Sequence, residues 1–393
     1  MKVNITKFDH LGRGIGRIDE KVVFVDKALP QETVDVIITK TKKNYCEGRI
    51  NSILKKSQKR IKPVCPFYEK CGGCHFLHTT YDHEKDFKIS KARELLGRCD
   101  SFYETKDLNY RNKVTLHVDK NKIGFYKEKT NEIIEIDYCY LLDNQINKVI
   151  SDLKKMDLSK YDFKTIIIKA NLVKILLWVD SKIDDYFINN FNYVDTIICG
   201  NKVVKGKGFI NEIIDNKVFK ITSKAFFQVN KEGLENIYQI ISDFLKNKSI
   251  NKALDLYSGT SLWSILISNY VNEIISIEIN EEATVNAKDN IKKNNISNIK
   301  VINGDVKDYL NEFFDIDLII VDPPRSGLDK KTKEYLKKIN SQYLLYISCD
   351  MQTLKRDLND LKNNYNIISV NLVDMFKRTY HCEVVTILER KNK

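Results

Sequence analysis

The 393-residue chain predicts an α/β protein in three parts: a small β barrel, a β-rich middle and a doubly wound parallel sheet. Three observations carry this expectation. Short strand-like runs separated by turns fill residues 1–56, strand-like runs alternate with polar turns over 110–225, and from about residue 226 buried strands alternate with helical segments. The domains expected are therefore 1–56, 57–225 and 226–393.

In the first part, the runs Lys2 to Phe8, Gly14 to Ile18, Val22 to Val25, Thr33 to Thr39 and Tyr45 to Leu54 predict five strands, with Gly12, Gly14 and Gly16 marking the first turn. Five short strands with basic loops fit an OB-like barrel, a fold that commonly binds single-stranded nucleic acid. Residues 1–62 hold 15 Lys and Arg against 7 Asp and Glu, a net of +8 within a chain total of +12. Positive charge concentrated at one end points to an RNA-facing module. The sequence Asp9-His-Leu-Gly-Arg-Gly-Ile-Gly, followed by Val23-Phe-Val and Ala28-Leu-Pro30, resembles the TRAM domain of RNA-modifying enzymes.

The middle part opens on Cys65-Pro-Phe-Tyr-Glu-Lys-Cys71-Gly-Gly-Cys74, three thiols in ten residues. A tight glycine-bearing turn can aim them at one centre, and Cys139 in Asp137-Tyr-Cys-Tyr is the candidate fourth ligand. The spacing lacks the paired knuckles of a zinc ribbon, so an iron–sulfur cluster is favoured over zinc. Nine cysteines without a secretory leader argue for metal or catalytic use rather than a disulfide framework. Residues 75–100 read as helix and 110–225 as a β-rich domain carrying the cluster.

In the last part, helices are expected at 236–245, 260–268, 281–294 and 330–338, and strands at 253–256, 273–277, 300–302, 318–321 and 344–347. Gly259 in Asp255-Leu-Tyr257-Ser-Gly259 lets a nucleotide-like ligand approach the backbone, and Glu278, 19 residues later, can bind ribose hydroxyls. The loop has no G-x-G-x-x-G, which disfavours a pyrophosphate cofactor and favours S-adenosylmethionine, with Asp305 able to meet the adenine amino group. Asp322-Pro-Pro-Arg325 forms a stiff platform for a planar base. Cys349, at the end of the run Tyr343-Leu-Leu-Tyr-Ile, would reach the same sheet edge as a nucleophile.

Phe226-Phe-Gln-Val-Asn230, Asp255-Leu-Tyr-Ser-Gly259, Val321-Asp-Pro-Pro-Arg325, Ile347-Ser-Cys349 and Asp374-Met-Phe376 to Thr379-Tyr-His-Cys-Glu383 resemble the RNA 5-methyluridine methyltransferases, along nearly the whole chain. The resemblance implies a class I, Rossmann-like methyltransferase domain and S-adenosylmethionine as cofactor. It implies Gln228, Tyr257, Glu278 and Asp322 as cofactor or target contacts, Cys349 as nucleophile and Glu383 as base. With a TRAM domain and a 4Fe-4S cluster on Cys65, Cys71, Cys74 and Cys139, it implies 23S ribosomal RNA as substrate. The same chemistry on tRNA and a catalytically weak RNA-binding protein are the alternatives. Two departures stand out: Ser261, next to Leu262 and Trp263, replaces a usual glycine, and Asp350-Met351 replaces Asn-Pro after the nucleophile.

Bulk composition excludes other classes. Hydrophobic content of 42% and charged content of 30% suit a globular protein, and Lys169 and Lys174 interrupt the apolar stretch from Ile166 to Val179. Met1-Lys-Val-Asn-Ile has no apolar signal core. A monomer in the cytoplasm, away from membranes, is expected.

Overall fold

The computed structural model describes residues 1–128 and 130–391. The N-terminal sheet runs in the order Lys2–Asn4, Thr33–Thr41, Tyr45–Lys55, Lys21–Asp26, Gly14–Ile18, Lys7–Phe8. The single strand expected over Lys2 to Phe8 is two. Lys2–Asn4 pairs with Thr33–Asp35 at one edge, and Lys7–Phe8 pairs with Gly14–Ile15 at the other. Buried Ile5, whose N–H donates to the Glu32 carbonyl at 2.9 Å, carries the chain between the edges and curls the sheet toward a barrel.

Gly12 and Glu32 are among the residues that tie this barrel to residues 60–76. Gly12 has φ +78°, and a Cβ there would meet the Phe76 ring at 2.5 Å. Buried Glu32 accepts from Arg60 Nη2 at 2.7 Å, so the pair gains near-ideal charge-assisted geometry where an unpaired carboxylate would be costly.

The middle sheet has the order Ile133–Glu135, Lys122–Tyr126, Lys113–Asp119, Thr165–Ala170, Ile175–Val179, Thr196–Cys199, Lys202–Lys205. Along its strand Lys113–Asp119 the side chains alternate: Val114, Leu116 and Val118 enter the core beneath helix Asn144–Leu153, and Lys113, Thr115 and His117 face the other way.

The C-terminal sheet has the order Ile299–Asn303, Val271–Glu278, Ile250–Leu256, Leu318–Val321, Tyr343–Ser348, Glu383–Arg390, Tyr365–Val373, Ser101–Tyr103. The first five strands are parallel and Glu383–Arg390 is antiparallel. Leu318–Val321 and Tyr343–Ser348 are buried throughout, as expected of parallel strands covered on both faces. Helix Lys231–Leu245 lays Leu234, Ile237, Ile241 and Leu245 on this core, capped by Asn230, which accepts from the Gly233 N–H.

Two segments from the middle of the chain belong physically to this last body. Strand Ser101–Tyr103 is its edge, and hairpin Ile210–Ile214/Lys217–Ile221 joins its core through Ile210, Phe219 and Ile221. The helix expected over 75–100 spans Tyr81–Leu96 and ends on Gly97. Its fully buried Lys88 donates at 2.6 Å to both Glu84 and Asp374, which ties the helix to the loop before Glu383. Among the described residues no helix is long and apolar enough to cross a membrane.

Candidate active site

Strand polarity builds the site. Leu318–Val321 and Tyr343–Ser348 run parallel with Val321 opposite Tyr346, so Asp322-Pro-Pro-Arg325 and Cys349 leave the sheet side by side at its carboxyl edge. Glu383–Arg390 runs the other way, so its first residue lies at that same edge. The register pairs Ser348 with Val384, which makes Cys349 and Glu383 the next facing positions. Residues 34 apart in sequence thereby become neighbours.

Cys349, Glu383, Asp322, Gln228, Tyr257 and Gly259 all line one cavity of about 940 Å³. Burial pushes the Glu383 carboxyl up to about 8; Asp322 raises it further and Arg325 offsets part of the rise. Burial also pushes the Cys349 thiol up to about 11, again with Glu383 raising and Arg325 lowering it. Asp322 is driven up to about 6 by burial, opposed by the indole N–H of Trp263, which donates to its Oδ2 at 3.0 Å. Thiol, acid and guanidinium thus act on one another. The Glu383 carboxylate and the Gln228 amide make no hydrogen bond among the described residues although both residues are buried, so their polar atoms remain for something entering the cavity.

The loop after Ile250–Leu256 is held in an unusual backbone. Tyr257, Gly259 and Ser261 all have positive φ, at +60°, +55° and +56°. Where a Cβ would stand at Gly259 there is open space, so a ligand can press against the main chain. Ser261 takes the left-handed conformation that its usual glycine would adopt easily; its hydroxyl is buried without a partner among the described residues. Glu278 folds back on the loop, its two oxygens accepting from the Gly259 and Asn280 N–H groups at 2.8 Å. Each oxygen keeps a lone pair.

Two of the candidate residues do not line the cavity. Glu278 reaches it only through Gly259. Asp305 follows Gly304, whose N–H donates to the Glu278 carbonyl, and its carboxylate caps the short helix Val306–Tyr309 and pairs with Lys307 at 3.1 Å. The Tyr257 hydroxyl donates to Asp329 at 2.8 Å and bonds Thr332, so the ring, not the hydroxyl, is what faces a ligand. Asp350 accepts from the Gln352 and Thr353 N–H groups at 2.9 Å, capping helix Met351–Leu361. It supplies what its usual asparagine would supply.

Sequence reasoning missed the Trp263–Asp322 bond and the buried Asp255 behind the loop. Asp255 accepts from Ser264 Oγ at 2.6 Å, keeps one oxygen unpartnered among the described residues, and is pushed by burial up to about 7. A carboxylate at the end of an apolar strand was the only available signal.

Cys65, Cys71, Cys74 and Cys139 line another lobe of the same cavity. Burial pushes the Cys65, Cys74 and Cys139 thiols up, and Cys139, Cys71 and Cys65 each raise Cys74 further, so the four lie within electrostatic reach. Among the described residues no three His, Cys, Asp or Glu groups are gathered tightly enough to hold one metal ion. A cubane cluster binds each thiolate to a different iron, so its ligands stand farther apart than those of one zinc ion.

Residues 83–391 match the tRNA (Uracil-5-)-methyltransferase family, and residues 1–50 match the TRAM domain. An uncharacterized RNA methyltransferase of Caldanaerobacter subterraneus subsp. tengcongensis is 33% identical over 441 residues, covering 99% of this chain and 98% of that protein. One from Clostridium tetani is 32% identical over 436 residues, covering 98% and 95%. The structure of Pyrococcus abyssi tRNA (uracil-54, C5)-methyltransferase in complex with S-adenosyl-L-homocysteine has the same fold, with a TM-score of 0.80 at 24% identity, covering 99% of this chain and all of that one.

Proposed function

This chain belongs to the tRNA (Uracil-5-)-methyltransferase family of RNA-modifying enzymes, and from that membership we propose that it transfers the methyl group of S-adenosylmethionine to C5 of a uridine in RNA through a covalent cysteine adduct. The observation that carries the reading is the facing register of Cys349 and Glu383 beside Asp322-Pro-Pro-Arg325. S-adenosylmethionine supplies an electrophilic methyl group on a sulfonium. The open backbone at Gly259 and the free lone pairs of Glu278 suit its ribose, and Asp305 beside them suits its adenine amino group.

Uracil C5 is a weak nucleophile. Addition of the Cys349 thiolate to C6 moves the π electrons of the C5–C6 bond toward C5 and O4, and the resulting enolate-like carbon forms the new C–CH₃ bond as the sulfonium S–CH₃ bond breaks and its electron pair leaves on sulfur. Glu383 then takes the C5 proton, the electron pair returns to the ring, and the C6–S bond breaks. Arg325 favours the thiolate, and a neutral Glu383 spares it repulsion. An ionised Glu383 is what accepts the proton, and its position near 8 suits a base that alternates between these states. Gln228, buried with an unpartnered amide among the described residues, fits the polar edge of the base.

Cys65, Cys71, Cys74 and Cys139 would hold a 4Fe-4S cluster, which would supply a covalent clamp on the loop leading to His75. The His75 and Phe76 N–H groups donate to the Arg378 carbonyl at 2.7 and 3.1 Å, so such a clamp would brace the segment leading to Glu383.

The substrate proposed is 23S ribosomal RNA; tRNA is the second reading, favoured by the name of the matched family. Mass mapping of 5-methyluridine in both RNAs from a strain lacking this gene decides between them. Loss of the modification from one RNA names the substrate, and loss from neither overturns the reading.

A further inference from the structure

The middle sheet presents to the cavity a row of side chains that the methyl-transfer chemistry leaves unused. Lys113, Thr115 and His117 alternate with core residues and line the cavity that also holds Cys349. On the neighbouring strand Gly124 stands opposite His117, so no side chain intervenes there. Tyr126, two residues on, reaches diagonally across and stacks on His117, ring centroids 3.7 Å apart at 11°. Tyr126 is 41% exposed, and its hydroxyl has no partner among the described residues. Lys113 makes no ion pair or hydrogen bond through its side chain among the described residues; burial lowers its proton affinity, and Arg111 beside it lowers it further. An uncompensated cation lining the same cavity as an exposed, prestacked aromatic pair is the combination that holds single-stranded nucleic acid: the ring takes a base, the cation its phosphate.

We propose that Tyr126 on His117, with Lys113, forms a second nucleotide subsite that stacks an unpaired base flanking the target uridine and holds its phosphate. This rests on the methyltransferase reading for the identity of the RNA. The occupant is a neighbour on the target strand because the platform and Cys349 share one cavity. A protein segment would instead call for an acidic partner to Lys113 without any use for the ring face.

The test uses the full-length protein with 23S ribosomal RNA and tRNA purified from a strain lacking this gene. Binding is measured by filter retention across a salt series, and methyl incorporation is measured separately. Tyr126→Ala should weaken binding of the methylated RNA by about tenfold, Tyr126→Phe should restore it because the hydroxyl is unused, and Lys113→Gln should reduce the salt slope by about one phosphate contact. Wild-type affinity and slope in both Tyr126→Ala and Lys113→Gln would overturn the subsite, as would equal losses in Tyr126→Ala and Tyr126→Phe. A wild-type protein that binds RNA through Tyr126 yet methylates none keeps the subsite and overturns only the methyltransferase reading.

Discussion

The indole N–H of Trp263 donates to Asp322 Oδ2 at 3.0 Å, linking the helix after the glycine loop to the platform beside Cys349. Trp263 is a buried strut that favours the ionised form of Asp322. Trp263→Phe keeps an aromatic ring in place and removes the donor. A hydrogen bond to a charged group contributes about 1.5–3 kcal/mol. Calorimetry with S-adenosylhomocysteine should show about tenfold weaker binding, alongside an unfolding transition lowered by the lost bond. Unchanged affinity would mean that Asp322 does not touch the cofactor.

The facing pair Cys349 and Glu383 predicts two different blocks. Cys349→Ala should form neither product nor covalent RNA adduct. Glu383→Gln should transfer the methyl group and then stall, since an amide cannot take the C5 proton. Denaturing gels with labelled cofactor should show a methyl-bearing protein–RNA species in Glu383→Gln alone. A Glu383→Gln enzyme with wild-type turnover and no adduct removes Glu383 from the role of base.

Burial of Glu383 also makes a pH prediction. Its folded-state value, about 8, lies above the ordinary 4.5, so the folded protein binds the proton more tightly than the unfolded chain. The stability contribution of this group is complete below 4.5 and is lost as pH rises through 8. Glu383→Gln should accordingly melt close to wild type in acid and progressively higher than wild type as pH rises to about 8, with a constant gain above. A constant difference across the range would mean that Glu383 titrates alike in the folded and unfolded chain. In turnover, the wild-type rate should climb with pH through the same region, because the C5 proton needs the carboxylate.

Protein made and handled without oxygen should contain iron and inorganic sulfide, with broad visible absorption. Serine at Cys65, Cys71, Cys74 or Cys139 should lower the iron content. Cys199→Ser should not, since the Cys199 thiol donates to the Ser181 carbonyl away from that lobe. Stoichiometric zinc without iron would replace the cluster by a different centre.

Much of this was legible in the residues themselves. Runs such as Leu318–Val321 and Leu344–Ile347 are apolar on both faces, and such runs alternating with capped helices specify a parallel sheet whose ligand edge is its carboxyl edge. Cys349, Asp322 and Gly259 follow from that alone, because each sits where a strand ends. Three elements were not legible. Lys2 to Phe8 reads as one strand because local alternation does not tell which edge each half will pair with. Ser101–Tyr103 and the 210–221 hairpin pack far from their sequence neighbours, since burial rewards any matching apolar surface regardless of position in the chain. Asp305 fits an adenine contact in sequence, and the fold also gives its carboxylate a helix to cap and Lys307 to pair with.

What the sequence determined by itself was the set of chemical groups and the elements that carry them, because side-chain periodicity and turn residues act locally. What only the tertiary structure decided was their encounter. Glu383 meets Cys349 because the last strand enters the sheet antiparallel, a choice made by long-range hydrogen-bond pairing between Tyr343–Ser348 and Glu383–Arg390. The same long-range packing brings the thiols of residues 65–74 and 139 to one cavity with the carboxyl edge, through contacts that no local pattern encodes.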